Sequence, residues 1–190
     1  MEKEMPKGLI ILANGFEESE AIITIDLLRR AKIELDLVSM EKELNVLSSG
    51  NITVVCDKNI KTINLNDYEF LIIPGGKAVF NKHLESYTTK SIVEFFMNKN
   101  KLVACICAAP MILGKYGYLK GIEYTCFPGC ESDDFAGILV DKNAVRVNNI
   151  ITAKAMGATF DFAELIIEYL LDEKTSKKVL NDVYYQKTTK

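Results

Sequence analysis

Short, fully apolar segments alternate with amphipathic segments along this chain, and that alternation limits the folds open to it. Residues 8–13, 70–73 and 102–106 are uninterrupted apolar runs of strand length, which is typical of strands buried on both faces of a sheet. Residues 33–38 alternate in polarity like a further strand. Four segments have the apolar spacing of amphipathic helices: residues 19–30, 88–98, 160–171 and 174–185. The alternation predicts an α/β fold, with a mostly parallel central sheet and helices on both faces.

Shorter apolar runs predict additional strands. These runs are residues 44–47, 52–56, 125–127, 145–147 and 150–152. Asn148 and Asn149 separate the last two, and we expect a hairpin there. The chain has no internal repeat, low-complexity tract or linker. We therefore expect residues 1–190 to form one domain, with residues 186–190 frayed.

The composition excludes several classes of partner. The chain has 190 residues, 48% of them apolar, and its 23 basic and 26 acidic residues give a net charge of -3. This balance provides no basic footprint for nucleic acid or for an anionic membrane. No apolar stretch is long enough to span a bilayer, and the charged N-terminal residues lack the apolar core of a signal peptide. We expect a cytoplasmic protein.

The cysteines do not form a disulfide or metal-binding pattern. Their number, five, is odd in a chain without an export signal, so we expect reduced thiols. Cys105 and Cys107 are separated by one residue, and Cys126 and Cys130 by three. This spacing differs from the usual zinc-binding pairs, and His83 is the only histidine. We expect no metal.

Cys107 lies where a buried strand is predicted to end and a helix to begin. The apolar run 102–106 precedes it, and Ala108-Ala109-Pro110 follows. A sharp strand-to-helix turn exposes the side chain at its apex and points free N–H groups towards it. That environment favours the thiolate and so predicts a nucleophile. The alternative is a buried structural cysteine, which is a common role for free cysteines.

Two other segments end predicted strands at the same edge of the sheet. Residues 15–20 follow the first strand, and residues 74–76 follow the strand at 70–73. Sites in parallel sheets form at the carboxyl ends of strands, so we expect both segments to meet Cys107. A neutral Glu20 there would donate a hydrogen bond to the thiolate and share one proton with it. Alternatively, Glu20 is one of several acids that favour a helix start.

Backbone N–H groups are available beside the predicted nucleophile. Gly75 and Gly76 follow a strand end without side chains that would block their N–H groups. Together with the N–H of Ala108, they suit an oxyanion or a bound carboxylate. Pro-Gly-Gly is equally compatible with a tight turn that requires glycine dihedrals.

The chain offers no obvious general base for Cys107. His83 lies in the polar segment 81–86, which is typical of a surface, and a catalytic base must lie within hydrogen-bond reach of its target. We therefore expect His83 not to act as the base of a cysteine protease or glutaminase. No glycine-rich nucleotide-binding motif occurs either.

Several motifs, taken in order, resemble the ThiJ/PfpI (DJ-1) superfamily. The resemblance is closest to the branch of the parkinsonism-associated protein deglycase and its bacterial relatives, and it covers nearly the whole chain. The matching segments are residues 12–21 (LANGFEESEA), 26–31 (DLLRRA), 73–76 (IPGG), 104–110 (ACICAAP) and 157–163 (GATFDFA), with Thr152 between the last two.

The resemblance implies a flavodoxin-like three-layer sandwich, related to class I glutamine amidotransferases, that forms a homodimer without a cofactor. It places the reactive cysteine of the nucleophile elbow at Cys107 and the acid that hydrogen-bonds it at Glu20. The oxyanion-type N–H groups fall on Gly76 and Ala108. Many members carry a histidine near the cysteine at the position of Phe127, and this departure weakens any activity that needs that histidine.

Three functions follow from this resemblance and from the residues. In the first, Cys107 attacks a small reactive carbonyl or a glycated side chain, as in a glyoxalase or protein deglycase. In the second, oxidation of Cys107 makes the protein a redox sensor or a stress chaperone in oxidative stress, with Cys126 or Cys130 as a resolving thiol or as ordinary packing residues. The third, an amide hydrolase or protease, is disfavoured by the missing base.

Overall fold

The computed structural model of this protein describes residues 5–186 and builds them around a seven-stranded sheet. Its strands are β1 (Lys7–Leu12), β2 (Glu34–Ser39), β5 (Lys58–Asn59), β6 (Phe70–Ile73), β7 (Leu102–Ile106), β10 (Ala144–Val147) and β11 (Ile150–Ala153). The order across the sheet is β10-β11-β7-β6-β1-β2-β5. All neighbouring pairs are parallel except β10 with β11. The predicted hairpin around Asn148 is this antiparallel edge.

The centre of the sheet is buried on both faces. Every residue of β6 and β7 is buried, as are all residues of β1 after Lys7. Parallel strands have this property because the helices that connect them cover both faces, and their sequences are therefore apolar throughout rather than alternating. The uninterrupted apolar runs in the sequence indicated these three strands for that reason.

Helices lie on both faces of the sheet, as predicted. The helices are α1 (Glu18–Arg30), α2 (Tyr87–Asn98), α3 (Pro110–Lys115), α4 (Thr159–Leu170) and α5 (Glu173–Asp182). α1 connects β1 to β2 and α2 connects β6 to β7, and these crossovers run in opposite directions across the sheet. Because such crossovers are right-handed, α1 and α2 lie on opposite faces. α4 packs against α1, and α5 against α4. The flavodoxin-like α/β prediction is confirmed.

Two small sheets flank the main one. β3 (Asn45–Leu47) and β4 (Thr53–Val55), which lie within the strands predicted at 44–47 and 52–56, form an antiparallel hairpin. β8 (Glu123–Tyr124) pairs with β9 (Ile138–Leu139), so the prediction of a strand at 125–127 is wrong. Residues 125–127 make hydrogen bonds outside these sheets instead. The N–H of Thr125 donates to the Thr152 hydroxyl, and the N–H of Phe127 donates to the carbonyl of Cys107.

The segment predicted to lie on the surface around His83 is partly buried. Residues Val79–His83 form a π-helical turn, and the His83 side chain is only 1% exposed. Its Nδ1 lies 3.1 Å from the Thr89 hydroxyl oxygen, and burial lowers the pKa of His83 to about 4. The surface prediction for His83 is therefore wrong. The polar residues next to it in the sequence gave no indication that this neutral imidazole is buried.

The ends of the chain bear on two further expectations. Of the residues expected to fray, 187–190 lie outside the described part of the chain. The assignment of residues 1–190 to one domain stays a prediction. No helix within residues 5–186 is long and apolar enough to cross a membrane.

Candidate active site

Three strand ends meet at the carboxyl edge of the sheet. After β1 the chain turns at Phe16, which forms a β-bridge with Gly76, the second glycine after β6. The N–H of Glu17 donates to the carbonyl of Gly75 (3.0 Å), and the N–H of Gly75 donates to Oε2 of Glu20 (2.8 Å). The loops after β1 and β6 therefore meet as expected, and backbone hydrogen bonds and the Glu20 carboxyl group hold them together.

Cys107 occupies a strained turn at the end of β7. Its φ of +66° lies in the left-handed region, which non-glycine residues rarely adopt. Hydrogen bonds hold the residue on both sides: its N–H donates to the carbonyl of Ala153 (2.9 Å), and its carbonyl accepts from the N–H of Phe127 (2.8 Å). The side chain remains partly exposed. This is the geometry of a nucleophile elbow, in which the turn points the side chain away from the sheet.

Two glycines allow the loop after β6 to lie close to Cys107, to Glu20 and to the loop after β1. A Cβ at Gly75 would lie 2.6 Å from Cβ of Cys107 and 2.8 Å from Oε2 of Glu20. Gly76 has φ +93°, and a Cβ there would lie 2.4 Å from the carbonyl oxygen of Gly15. Both positions therefore require glycine, Gly75 because of contact with the reactive pair and Gly76 also because of its backbone conformation.

Glu20 is a buried carboxyl group in the first turn of α1. Its side chain is 1% exposed, and burial raises its pKa to about 7, although hydrogen bonds with Gly75 and Cys107 lower it. Oε2 accepts the Gly75 hydrogen bond, whereas the buried Oε1 has no partner of good hydrogen-bond geometry among residues 5–186. Oε1 is therefore the oxygen available to carry a proton near neutral pH.

The thiol of Cys107 and the carboxyl group of Glu20 each affect the pKa of the other. Burial, the charge of Glu20 and a hydrogen bond to Glu20 raise the pKa of the Cys107 thiol to about 12, and the N–H groups of Ala108 and Gly76 lower it. The two Glu20 effects apply to an ionised carboxylate and end when Glu20 takes up the proton. A Cys107 thiolate at neutral pH stays a prediction, and it requires the shared proton to reside on Glu20.

A small apolar cavity opens directly above Cys107. Its volume is about 350 Å³, and its lining includes Cys107, Ala108, Gly76, Phe80, Phe127 and Cys130. Phe80 and Phe127 form an exposed aromatic rim. The sequence did not indicate Phe80, because a polar stretch follows it and only the π-helical turn orients it towards the cavity. A cavity of this size suits a small molecule.

The other cysteines differ in their relation to this cavity. All five cysteines within residues 5–186 are free. Cys105 is fully buried within β7. Cys126 and Cys130 are both buried; the sulfur of Cys126 lies 4.0 Å from Glu131, and Cys130 lines the cavity. No cluster of side chains able to hold a metal ion occurs in the described chain.

Comparisons with known proteins agree with this architecture. A family model described as the DJ-1/PfpI family matches residues 6–169. Protein DJ-1alpha of Drosophila melanogaster is 34% identical over 175 residues, which cover 90% of this chain and 81% of the relative. A mutant of a DJ-1 superfamily protein from Salmonella typhimurium has a TM-score of 0.88 at 29% identity, covering 96% of this chain and 100% of that one. Oxidized DJ-1 of Toxoplasma gondii has a TM-score of 0.87 at 29% identity, with the same coverage.

The raised pKa of Glu20 predicts a pH-dependent stability. The folded state keeps a proton up to about pH 7 that the unfolded chain releases at its ordinary pKa of 4.5, so stability is highest below pH 4.5 and falls as pH rises through 7. Between about pH 4.5 and 8, wild type should lose about 3 kcal/mol of unfolding free energy relative to Glu20→Gln.

Urea unfolding at several pH values measures this difference. Glu85→Gln, which changes an exposed carboxylate, provides the control and should show no such pH-dependent difference from wild type. A constant difference between wild type and Glu20→Gln over this range would contradict a protonated Glu20 in the folded protein.

Proposed function

This chain belongs to the DJ-1/PfpI family, and we propose that it acts on small reactive carbonyls or glycated side chains through Cys107. The observation that carries the proposal is the contact between a partly exposed elbow cysteine and a buried carboxyl group whose pKa is about 7. A group with such a pKa can both give and take a proton at neutral pH. Glu20 thereby replaces the histidine that a cysteine hydrolase would use.

The proposed reaction begins when the Cys107 thiolate adds to an aldehyde carbon and forms a hemithioacetal. The carbonyl oxygen becomes an alkoxide, which the N–H groups of Gly76 and Ala108 stabilise before Glu20 protonates it. These N–H groups already lower the pKa of the thiol, which supports their being close to the reacting atoms. Conversion of methylglyoxal and water to lactate needs no cofactor, because it involves no net oxidation or reduction.

The same site supports a second function, redox sensing linked to a stress or chaperone role. Peroxide oxidises a thiolate to sulfenic and then sulfinic acid, and a neutral Glu20 could donate a hydrogen bond to the sulfinate. The similarity to an oxidized Toxoplasma gondii DJ-1 supports this candidate. A cytoplasmic location, which we also propose, fits the free cysteines. An amide hydrolase has less support, because such an enzyme needs a base beside the nucleophile. His83, the only histidine, is buried and contacts the Thr89 hydroxyl instead.

We further propose that the chain forms a homodimer through α1 and the β3–β4 hairpin. The Glu18 carboxylate accepts a hydrogen bond from the N–H of Gly50 (3.0 Å), which joins the first turn of α1 to the hairpin. Exposed apolar side chains lie on both elements: Ile22, Leu47, Ile52 and Val55. Grouped apolar residues of this kind are typical of a protein interface.

The carbonyl proposal predicts distinct effects of three substitutions. Cys107→Ser should abolish conversion of methylglyoxal to lactate, since the nucleophile is lost. Glu20→Gln should slow it by roughly 10²–10⁴-fold, because an amide cannot shuttle the proton. Cys56→Ser, which changes a buried cysteine after β4, should keep the wild-type rate. Equal rates for wild type and Cys107→Ser would eliminate the proposal.

The redox candidate predicts selective oxidation. Excess peroxide should oxidise Cys107 selectively in wild type, either to sulfinic acid with two added oxygen atoms or to a disulfide, read by intact mass and peptide mapping, and Cys107→Ser should show neither product. Glu20→Gln should accumulate less sulfinate, because it removes the acid that would donate to it. Oxidation spread evenly over the cysteines, or none at Cys107, would count against redox sensing.

The dimer proposal predicts that charge on the hairpin separates the subunits. Ile52→Asp combined with Val55→Asp should convert a dimer to a monomer in size-exclusion chromatography with light scattering. Ile138→Asp, at an equally exposed apolar residue on β9, is the control and should stay dimeric. A wild-type monomer, or a double mutant that remains dimeric, would refute this interface.

A further inference from the structure

We propose that Cys130 is the resolving thiol of this site and forms an intramolecular disulfide with Cys107 after peroxide has oxidised Cys107. The inference rests on the redox candidate above and assigns a partner to the oxidised sulfur. Its basis is that Cys107 and Cys130 line the same cavity. Cys126 does not line that cavity.

Backbone hydrogen bonds connect the two cysteines. The N–H of Phe127 donates to the carbonyl of Cys107 (2.8 Å), and the N–H of Cys130 donates to the carbonyl of Phe127 (2.9 Å). Cys130 thus belongs to a tight turn whose first residue is bonded directly to the elbow. This connection ties the turn that carries Cys130 to the elbow.

The apex of the turn is exposed, although Cys130 at its end is buried. Its residues Phe127, Pro128 and Gly129 are exposed, and the space around the Cα of Gly129 is open for at least 4 Å on the side where a Cβ would stand. A disulfide requires Cα atoms about 4.4–6.8 Å apart, and an exposed turn can shift towards that spacing. A core strand could not make such a shift, because its close-packed neighbours would resist it.

Cys126 and Cys130 are held differently. The Glu131 carboxylate lies 4.0 Å from the Cys126 sulfur and accepts a hydrogen bond from the N–H of Gly129 (2.8 Å), so it contacts both Cys126 and the backbone of the turn. Burial and Glu131 also raise the pKa of the Cys130 thiol. Cys107 is oxidised first in this proposal because it is partly exposed and its proton can pass to Glu20, whereas Cys130 is buried and acts through proximity.

The chemistry balances with peroxide as the named oxidant. The Cys107 thiolate attacks hydrogen peroxide, the O–O bond breaks, and sulfenic acid and hydroxide form. The Cys130 sulfur then attacks the sulfenic sulfur, the S–O bond breaks, and the thiol proton leaves with the hydroxyl group as water. In sum, two thiols and one peroxide give one disulfide and two waters. A dithiol reductant restores both thiols by exchange.

The inference predicts a distinct product at one equivalent of peroxide. Wild type should lose two hydrogens in intact mass and yield a peptide that links Cys107 to Cys130. Methylglyoxal turnover, where present, should fall with this product and return with dithiothreitol. Cys126→Ser, the matched control, should behave as wild type. Cys130→Ser and Cys130→Ala should instead accumulate sulfenic and sulfinic Cys107, and circular dichroism checks that both variants are folded.

The outcomes separate this inference from the function on which it rests. If Cys107 gains oxygen equally in wild type and in the Cys130 variants and no linked peptide forms, the resolving role is wrong and redox sensing stands. A linkage to Cys126 or between two chains also overturns the resolving role. If Cys107 neither gains oxygen nor forms a bridge, both ideas fail.

Discussion

One buried carboxyl group holds the candidate site together. Glu20 leaves α1 to accept a hydrogen bond from Gly75 after β6, and it contacts the sulfur of Cys107 after β7. Burial of an ionised carboxylate is costly, and the single backbone hydrogen bond offsets only part of that cost. Glu20 therefore takes up a proton near neutral pH. Nucleophilic attack, sulfinate stabilisation and disulfide formation each depend on where that proton resides.

The sequence was sufficient for the fold because parallel strands are buried on both faces. The uninterrupted apolar runs gave β6 and β7 with their observed bounds and β1 within one residue. The prediction failed at residues 125–127, where a short apolar run forms no strand. Its N–H groups pair instead with Thr152 and Cys107, which lie far away in the sequence. Local pattern cannot indicate such partners.

The site was predictable in its centre and not at its rim. The rule that carboxyl ends of parallel strands share an edge brought Glu20, Gly75 and Cys107 together. Burial of the thiol, which opposes ionisation, was not readable from the strand-to-helix pattern. Nor were Phe80 and Cys130 readable as lining of the cavity, because a π-helical turn and a tight turn orient them. Their orientation depends on non-local hydrogen bonds.

The most direct test is the rate of Cys107 alkylation by iodoacetamide as a function of pH, read by peptide mass spectrometry in wild type and in Glu20→Gln. A proton shared between two groups predicts two titration steps in wild type, the first near pH 7 or below, and a single step in Glu20→Gln. A single wild-type step at or above the ordinary thiol pKa of about 8.5 would contradict a thiolate maintained by Glu20.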